Sequence, residues 1–218
     1  SKYVQSDAAS AYRQIKQLLS ESKKVLFCGT SCQVDGLYRY LGCDYYPNLF
    51  TVDLICHGVP GRKFFTDYIQ TIGKKHGAKV EDFKFRLKDN QRIIYQETIT
   101  FASDGSKKEI LSIPWRKSPY YRLFLGEESY RTACYSCQYA SLHKPADITL
   151  GDYFELKNDS PELYRKLLKD SIEDVNSVIV HTDQGSLLLK MAQDSIVQFP
   201  MEMRRVQASH KQLCKPSQ

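Results

Sequence analysis

The chain has 218 residues, is 42% hydrophobic and 26% charged, and carries 31 Lys+Arg against 25 Asp+Glu, a formal net charge of +6. This composition excludes a disordered chain, which would lack the apolar surface to offset its ordering entropy, and the length suffices for a sizeable core. No stretch approaches ~20 consecutive apolar residues, so no membrane span is expected, and the mild, spread-out positive charge is not a nucleic-acid footprint.

The apolar steps Ala8, Ala9, Tyr12, Ile15, Leu18 and Leu19 predict a helix over Ala8–Ser22, with Ser6-Asp7 available as a cap. Val25-Leu26-Phe27-Cys28 reads as a short buried strand that ends at the turn Gly29-Thr30-Ser31, before a helix over Cys32–Leu41. Leu49–Cys56 is a second apolar strand, closed by His57-Gly58-Val59-Pro60-Gly61, and Lys63–His76 is a second helix with Phe64, Phe65, Tyr68, Ile69 and Ile72 on one face. Two strand–turn–helix units in succession argue for a parallel sheet. From Val80 to Ile113 the pattern becomes alternating (Phe83/Phe85/Leu87, Ile94/Gln96/Thr98), with a turn at Ser103-Asp104-Gly105-Ser106, which predicts an antiparallel insertion. Pro114–Tyr130 is aromatic-rich and predicted helical, Ala146–Leu150 and Val175–His181 are strands, and Leu187–Ala192 is a closing helix. The expected fold is a single α/β domain over 1–218: a mainly parallel sheet flanked by helices, with the antiparallel β insertion at about 80–113.

Seven cysteines are an odd number in a chain with no secretory leader, far longer than the small disulfide scaffolds, so a reducing cytoplasm is expected. Cys134-Tyr135-Ser136-Cys137 is the strongest local signal, since two thiolates three residues apart can grip one metal or cluster from a single turn. A redox dithiol would want a strand before it and a helix starting at its first Cys, but Tyr130-Arg131-Thr132-Ala133 precedes it and Gln138–Pro145 is loop-like. In a parallel sheet Cys32 and Cys56 both fall at the carboxyl edge, where ligands usually bind. Cys28/Cys32 is the competing close pair. A structural zinc would suit two close pairs, whereas an iron–sulfur cluster accepts ligands scattered singly, as Cys32, Cys56, Cys134 and Cys137 are. Cys28, Cys43 and Cys214 read as core or surface thiols. The turn Gly29-Thr30-Ser31-Cys32-Gln33 offers backbone N–H groups and hydroxyls at a helix start, a place to hold a phosphate or a flavin edge. His57 reads as a structural residue or a cofactor neighbour, and Gly151-Asp152-Tyr153-Phe154 as a core cap or the lining of a flat ligand site.

Five ordered motifs carry a resemblance. Ser1-Lys2-Tyr3-Val4-Gln5-Ser6-Asp7, Leu26-Phe27-Cys28-Gly29-Thr30-Ser31-Cys32-Gln33-Val34, Val52-Asp53-Leu54-Ile55-Cys56-His57-Gly58-Val59-Pro60, Cys134-Tyr135-Ser136-Cys137-Gln138-Tyr139-Ala140 and Ala146-Asp147-Ile148-Thr149-Leu150-Gly151-Asp152-Tyr153 together resemble the coenzyme F-420 hydrogenase/dehydrogenase beta-subunit family. The match runs to about residue 153 and more weakly through Ser177–Thr182. The resemblance implies an iron–sulfur flavoprotein oxidoreductase, with a [4Fe-4S] cluster on Cys32, Cys56, Cys134 and Cys137. It implies FAD near the first two motifs, with Ser1, Lys2, Tyr3, Gln5, Ser6, Gly29, Thr30, Ser31, Gln33, His57 and Gly58 as flavin-contact candidates. Lys2 would neutralise negative charge near a reduced ring or pyrophosphate. Ser31 stands where relatives commonly have Pro. The implied partners are a ferredoxin-type protein or domain and a deazaflavin coenzyme, and the abrupt start at Ser1 is read as a fragment lacking an upstream ferredoxin-like domain. The alternative function is a non-enzymatic binding module, stabilised by zinc or a cluster on four cysteines and lacking flavin.

Overall fold

The computed structural model describes residues 3–43, 45–89, 92–102, 109–169 and 175–217. In chain order the elements are α1 (Ala9–Ser20), β1 (Val25–Thr30), α2 (Ser31–Leu41), β2 (Leu49–Leu54), α3 (Arg62–His76), β3 (Val80–Asp89), β4 (Arg92–Phe101) and β5 (Ile110–Pro114). There follow α4 (Pro119–Leu125), α5 (Thr132–Tyr135), β6 (Ile148–Asp152), α6 (Leu156–Asp159), α7 (Pro161–Lys169), β7 (Asn176–Val180), α8 (Asp183–Ala192) and α9 (Met203–Ser209). They belong to two compact units, one within Ser1–Asp7, His57–Ser136 and Ser217–Gln218, the other within Ala8–Cys56 and Cys137–Pro216. Among the described residues no helix is long and apolar enough to cross a membrane.

The second unit is built on a four-stranded sheet of order β1-β2-β6-β7, in which β1, β2 and β6 run parallel and β7 is antiparallel to β6. The expected α/β class and mainly parallel sheet are therefore present. Ile15 and Leu19 of α1 and Leu37 of α2 pack on Val25 and Leu49 to make one core cluster. A second forms where Tyr153, Leu156, Leu167 and Val206 meet Ile179. Helix α1 begins after Ala8, an N-cap residue whose own side chain has no acceptor to offer, with Ser6 and Asp7 just before it. Helices α6, α7 and α9 carry no sequence prediction, being short and dominated by polar residues outside their few core positions.

The first unit contains the antiparallel sheet β3-β4-β5, as the alternating pattern predicts. The turn expected at 103–106 lies outside the described residues. Its core is aromatic. Tyr3, Phe85, Tyr120 and Tyr121 are buried with Phe64, Phe65 and Tyr68 of α3 packed against them. Pro114–Tyr130 is not one helix. A 3-10 turn at Trp115–Lys117 precedes α4, where Ser118 caps the helix by accepting from the Tyr121 N–H at 3.0 Å and Pro119 opens it. The helix stops at Gly126, and Glu127 takes a left-handed φ of 62°.

Candidate functional site

Strand register brings the chemistry of the second unit to one edge. Thr30 pairs with Leu54, and Leu54 with Leu150, so β1, β2 and β6 reach the same level together. Cys32 and Cys56 each lie two residues beyond that level, the first in the opening turn of α2 and the second after the last bond of β2. This is the carboxyl edge at which open α/β sheets bind ligands. Cys32 is exposed, Cys56 and Cys137 are half-buried, and none is in a disulfide.

The start of α2 is locked by its own side chains. The Thr30 N–H donates to Gln33 Oε1 at 3.0 Å and the Thr30 hydroxyl lies 3.2 Å from the same oxygen, the backward arm of a capping box. The Thr30 hydroxyl also lies 3.1 Å from Cys32 Sγ. A hydroxyl has one proton, so if it goes to Gln33 the Cys32 thiol is the donor, and if Cys32 is a thiolate it competes for that proton. The loop carrying Cys137 is tied to the same helix. Tyr139 donates to Asp35 Oδ2 at 2.7 Å, and Arg39 reaches that oxygen at 2.6 Å. Burial alone would raise the Asp35 carboxyl, but the hydrogen bonds from Arg39 and Tyr139 hold it below the ordinary range. Burial and the bond to Asp35 push Tyr139 up to about 12, so it remains a donor at any ordinary pH.

Sequence reasoning missed several residues here. Lys144 follows Cys137 in the loop before β6 and donates to the Tyr139 carbonyl at 2.5 Å. Burial lowers its pKa, while the charges of Asp53, Cys137 and Cys56 work in the opposite direction, which makes Lys144 the common electrostatic neighbour of an acid and two thiols. Asp53 and Thr149 are register partners with no exposed surface, and the Thr149 hydroxyl donates to Asp53 Oδ1 at 2.5 Å. Thr149 Oγ1 also lies 2.8 Å from His181 Nε2. A usable sequence signal was present: Asp53 and Thr149 are polar residues interrupting apolar strands, and such positions persist only when hydrogen-bonded.

The flavin-contact candidates divide between the units. Ser1 and Lys2 lie outside the described residues. In the first unit Tyr3 is buried in the aromatic core, where its hydroxyl accepts from Arg86 Nε at 3.0 Å and its carbonyl from the Tyr120 hydroxyl at 2.9 Å. Gln5 accepts from Arg131, Ser6 is exposed, and exposed His57 receives the Ser217 hydroxyl on its carbonyl at 2.5 Å. Gly58 has a φ of 134°, and a Cβ there would lie 2.5 Å from Tyr130 Cδ2, so its backbone rests directly on the ring. In the second unit Gly29 is enclosed by Gln33 and Phe27, each 3.2 Å from a built Cβ, and Ser31 is buried facing Asp53.

Cys134 lies in the first unit, within the one-turn helix α5, and its N–H donates to the Arg131 carbonyl at 2.8 Å. The residues immediately before α5 form no strand beyond the isolated bridge between Pro60 and Tyr130. Cys28, Cys43 and Cys214 are exposed. Among the described residues no three His, Cys, Asp or Glu side chains form a group set to hold a metal ion. Unbridged thiols are the donor type that an iron–sulfur cluster takes; Cys32 has the Thr30 hydroxyl beside it, and Lys144 feels the charges of Cys56 and Cys137.

No curated protein matches the chain. The family model that describes the C terminus of the beta subunit of Coenzyme F420 hydrogenase/dehydrogenase matches residues 22–201. That span contains both edge cysteines, the Cys134–Cys137 pair, Lys144 and the whole four-stranded sheet, and the chain therefore belongs to this redox-related family.

Proposed function

We propose that this chain is the electron-transfer module of an iron–sulfur flavoprotein oxidoreductase, working between a hydride donor or acceptor, such as a deazaflavin coenzyme, and a ferredoxin-type partner. The observation that supports it most is the family match over 22–201 together with Cys32 and Cys56 standing two residues past the paired ends of adjacent parallel strands. The proposed ligands are Cys32, Cys56 and Cys137, with Cys134 completing the set that the family motifs imply. When bound, FAD supplies two-electron hydride exchange and a [4Fe-4S] cluster supplies single-electron exchange.

The chain's own residues position and tune. Thr30 offers a hydroxyl to the Cys32 sulfur, and Lys144 sets positive charge against the sulfurs of Cys56 and Cys137. Both interactions favour added negative charge at those atoms, which raises a reduction potential. Thr30 and Gln33 bind each other, so they shape the glycine turn, and a flavin would meet that turn through its backbone and Gly29. The positive end of α2 lies at the same place and favours an anionic group. The +6 net charge suits acidic partners, both a ferredoxin and an anionic deazaflavin. In the reducing cytoplasm proposed for this chain, the thiols would remain reduced.

Purification and reconstitution without oxygen test this reading. The protein should be yellow-brown, contain flavin, iron and sulfide, and bleach with dithionite. A colourless protein holding one zinc would replace it with the zinc-stabilised binding module.

A further inference from the structure

Asp53 is the next-to-last residue of β2 and has no exposed surface, and its Oδ2 is buried without a partner of hydrogen-bonding geometry among the described residues. Its Oδ1 accepts the Thr149 hydroxyl at 2.5 Å, and Thr149 Oγ1 is 2.8 Å from Nε2 of His181. Thr149 is fully buried, whereas His181 at the end of β7 is only half-buried and open to solvent. The three side chains form an unbroken line from the surface to a buried acid.

The proton count on the central hydroxyl gives this line two settings. Thr149 has one proton. When it donates to ionised Asp53, it must accept from the Nε2–H of His181. When Asp53 is protonated the bonds reverse: Asp53 donates to Thr149, Thr149 donates to Nε2, and His181 carries its proton on Nδ1. We propose that Asp53, Thr149 and His181 are a proton relay that loads the buried Asp53 carboxyl from solvent. A proton enters at His181 Nδ1, the Nε2 proton passes to Thr149 Oγ1, and the Thr149 proton passes to Asp53 Oδ1. The net transfer is one proton from solvent to Asp53, with no electron moved and no heavy atom displaced.

The surrounding charges suit this exchange. Asp53 is faced by the hydroxyls of Ser31 from α2 and Thr149 from β6, by Lys144 from the preceding loop and by His181. His181 is faced by Asp53, Lys144 and Asp147. Burial raises the Asp53 carboxyl and lowers the His181 imidazole, so their proton affinities approach each other, the condition for easy transfer. Burial outweighs the Ser31 and Thr149 hydroxyls and the charges of Lys144 and His181, all of which favour ionised Asp53, so the carboxyl keeps a tendency to take the proton. For a redox site, a use that rests on the function proposed above, the relay allows proton uptake to accompany an arriving electron.

Nitrogen-15 NMR of the full chain tests the relay without any cofactor, with the His181 signal assigned by its loss in His181→Gln. The expected result is a tautomer switch, from Nδ1–H when Asp53 is protonated to Nε2–H when it ionises. An isolated imidazole has no reason to switch in this way. Thr149→Val should abolish the switch, Thr149→Ser should retain it, and Asp53→Asn should also abolish it, which covers the case of a poorly folded valine variant. A single tautomer across the titration of wild type, or a switch that survives in Thr149→Val, overturns the relay. In reconstituted protein the dependence of midpoint potential on pH should weaken in Thr149→Val and not in Thr149→Ser; a potential indifferent to Thr149 overturns the redox use. The cofactor-free measurement keeps a failure of the relay distinct from a failure of the proposed function.

Discussion

Replacing Asp147 by Ala should cost the second unit more stability than any surface change. Asp147 is 3% exposed and ties β2, β6 and α8 together. Its Oδ2 accepts from the Thr51 N–H at 2.7 Å and the Thr51 hydroxyl at 2.8 Å, and its Oδ1 accepts from the Thr182 hydroxyl at 2.5 Å. Thr182 is in turn the N-cap of α8, accepting from Gly185 N–H at 3.1 Å. Alanine leaves the buried Thr51 amide without its acceptor, about 1–3 kcal/mol, and removes further hydrogen bonds to a carboxylate, each worth about 1.5–3 kcal/mol in net terms. These are not additive, since the Thr51 and Thr182 hydroxyls can turn elsewhere, and a total of about 4 kcal/mol follows. That is a large fraction of a typical ~5–15 kcal/mol stability. Asp147→Asn should recover only part of it, because the one amide oxygen can serve one side while the NH2 meets a donor on the other. Urea unfolding followed by circular dichroism reads the difference as a shift in midpoint at constant slope. A loss below about 1 kcal/mol for Asp147→Ala would refute this account of the clamp.

Other substitutions separate the remaining claims. Cys32→Ala and Cys56→Ala should each lower the iron content of reconstituted protein, while Cys43→Ala should leave it unchanged; equal iron in all three would remove the proposed ligands. Gly58→Ala combines a φ of 134° with a Cβ 2.5 Å from Tyr130 and should cost about 2–5 kcal/mol, whereas Gly42→Ala, with a φ of 75° and open space, should cost about 1 kcal/mol. Equal thermal shifts in the two variants would show that the Tyr130 contact is unimportant. Glu97 is fully buried and hydrogen-bonded by Tyr68 at 2.6 Å and by Ser118, and burial raises its carboxyl above the ordinary range despite both bonds. The folded state therefore binds that proton more tightly than the unfolded chain. Its stabilising effect is fully present below the ordinary glutamate range and is lost as pH rises through the raised native value. Glu97→Gln should flatten this slope in a stability–pH profile, and an unchanged slope would assign it to another group.

Much of this architecture was legible in the sequence because its signals were local and periodic. Val25–Cys28 followed by Gly29-Thr30-Ser31 marked the first strand and turn, and the alternation from Phe83 onward marked the antiparallel sheet. The edge position of Cys32 and Cys56 followed from topology alone, and the register of Thr30 with Leu54 agrees with it. Long-range polar pairing was not legible. Nothing in the order of residues states that Asp53 will meet Thr149 and His181, or that Lys144 will settle near both Asp53 and two thiols, because those partners are brought together only by strand pairing and loop closure. Pro114–Tyr130 misled for a different reason: its aromatic residues serve a mixed aromatic core around Tyr3 and Phe85 rather than one helix face. The glycine turn held a second lesson. Thr30 and Gln33 resemble ligand-binding groups in sequence, yet their side chains bind each other at the helix start.

The central claim is tested most directly by the low-temperature electron paramagnetic resonance spectrum of the anaerobically reconstituted, dithionite-reduced chain, recorded beside Cys56→Ala. A cubane-type signal of about one spin per chain in the first, absent or much diminished in the second, is the predicted result. A silent spectrum from protein that contains no iron, or a signal unchanged by Cys56→Ala, would contradict it.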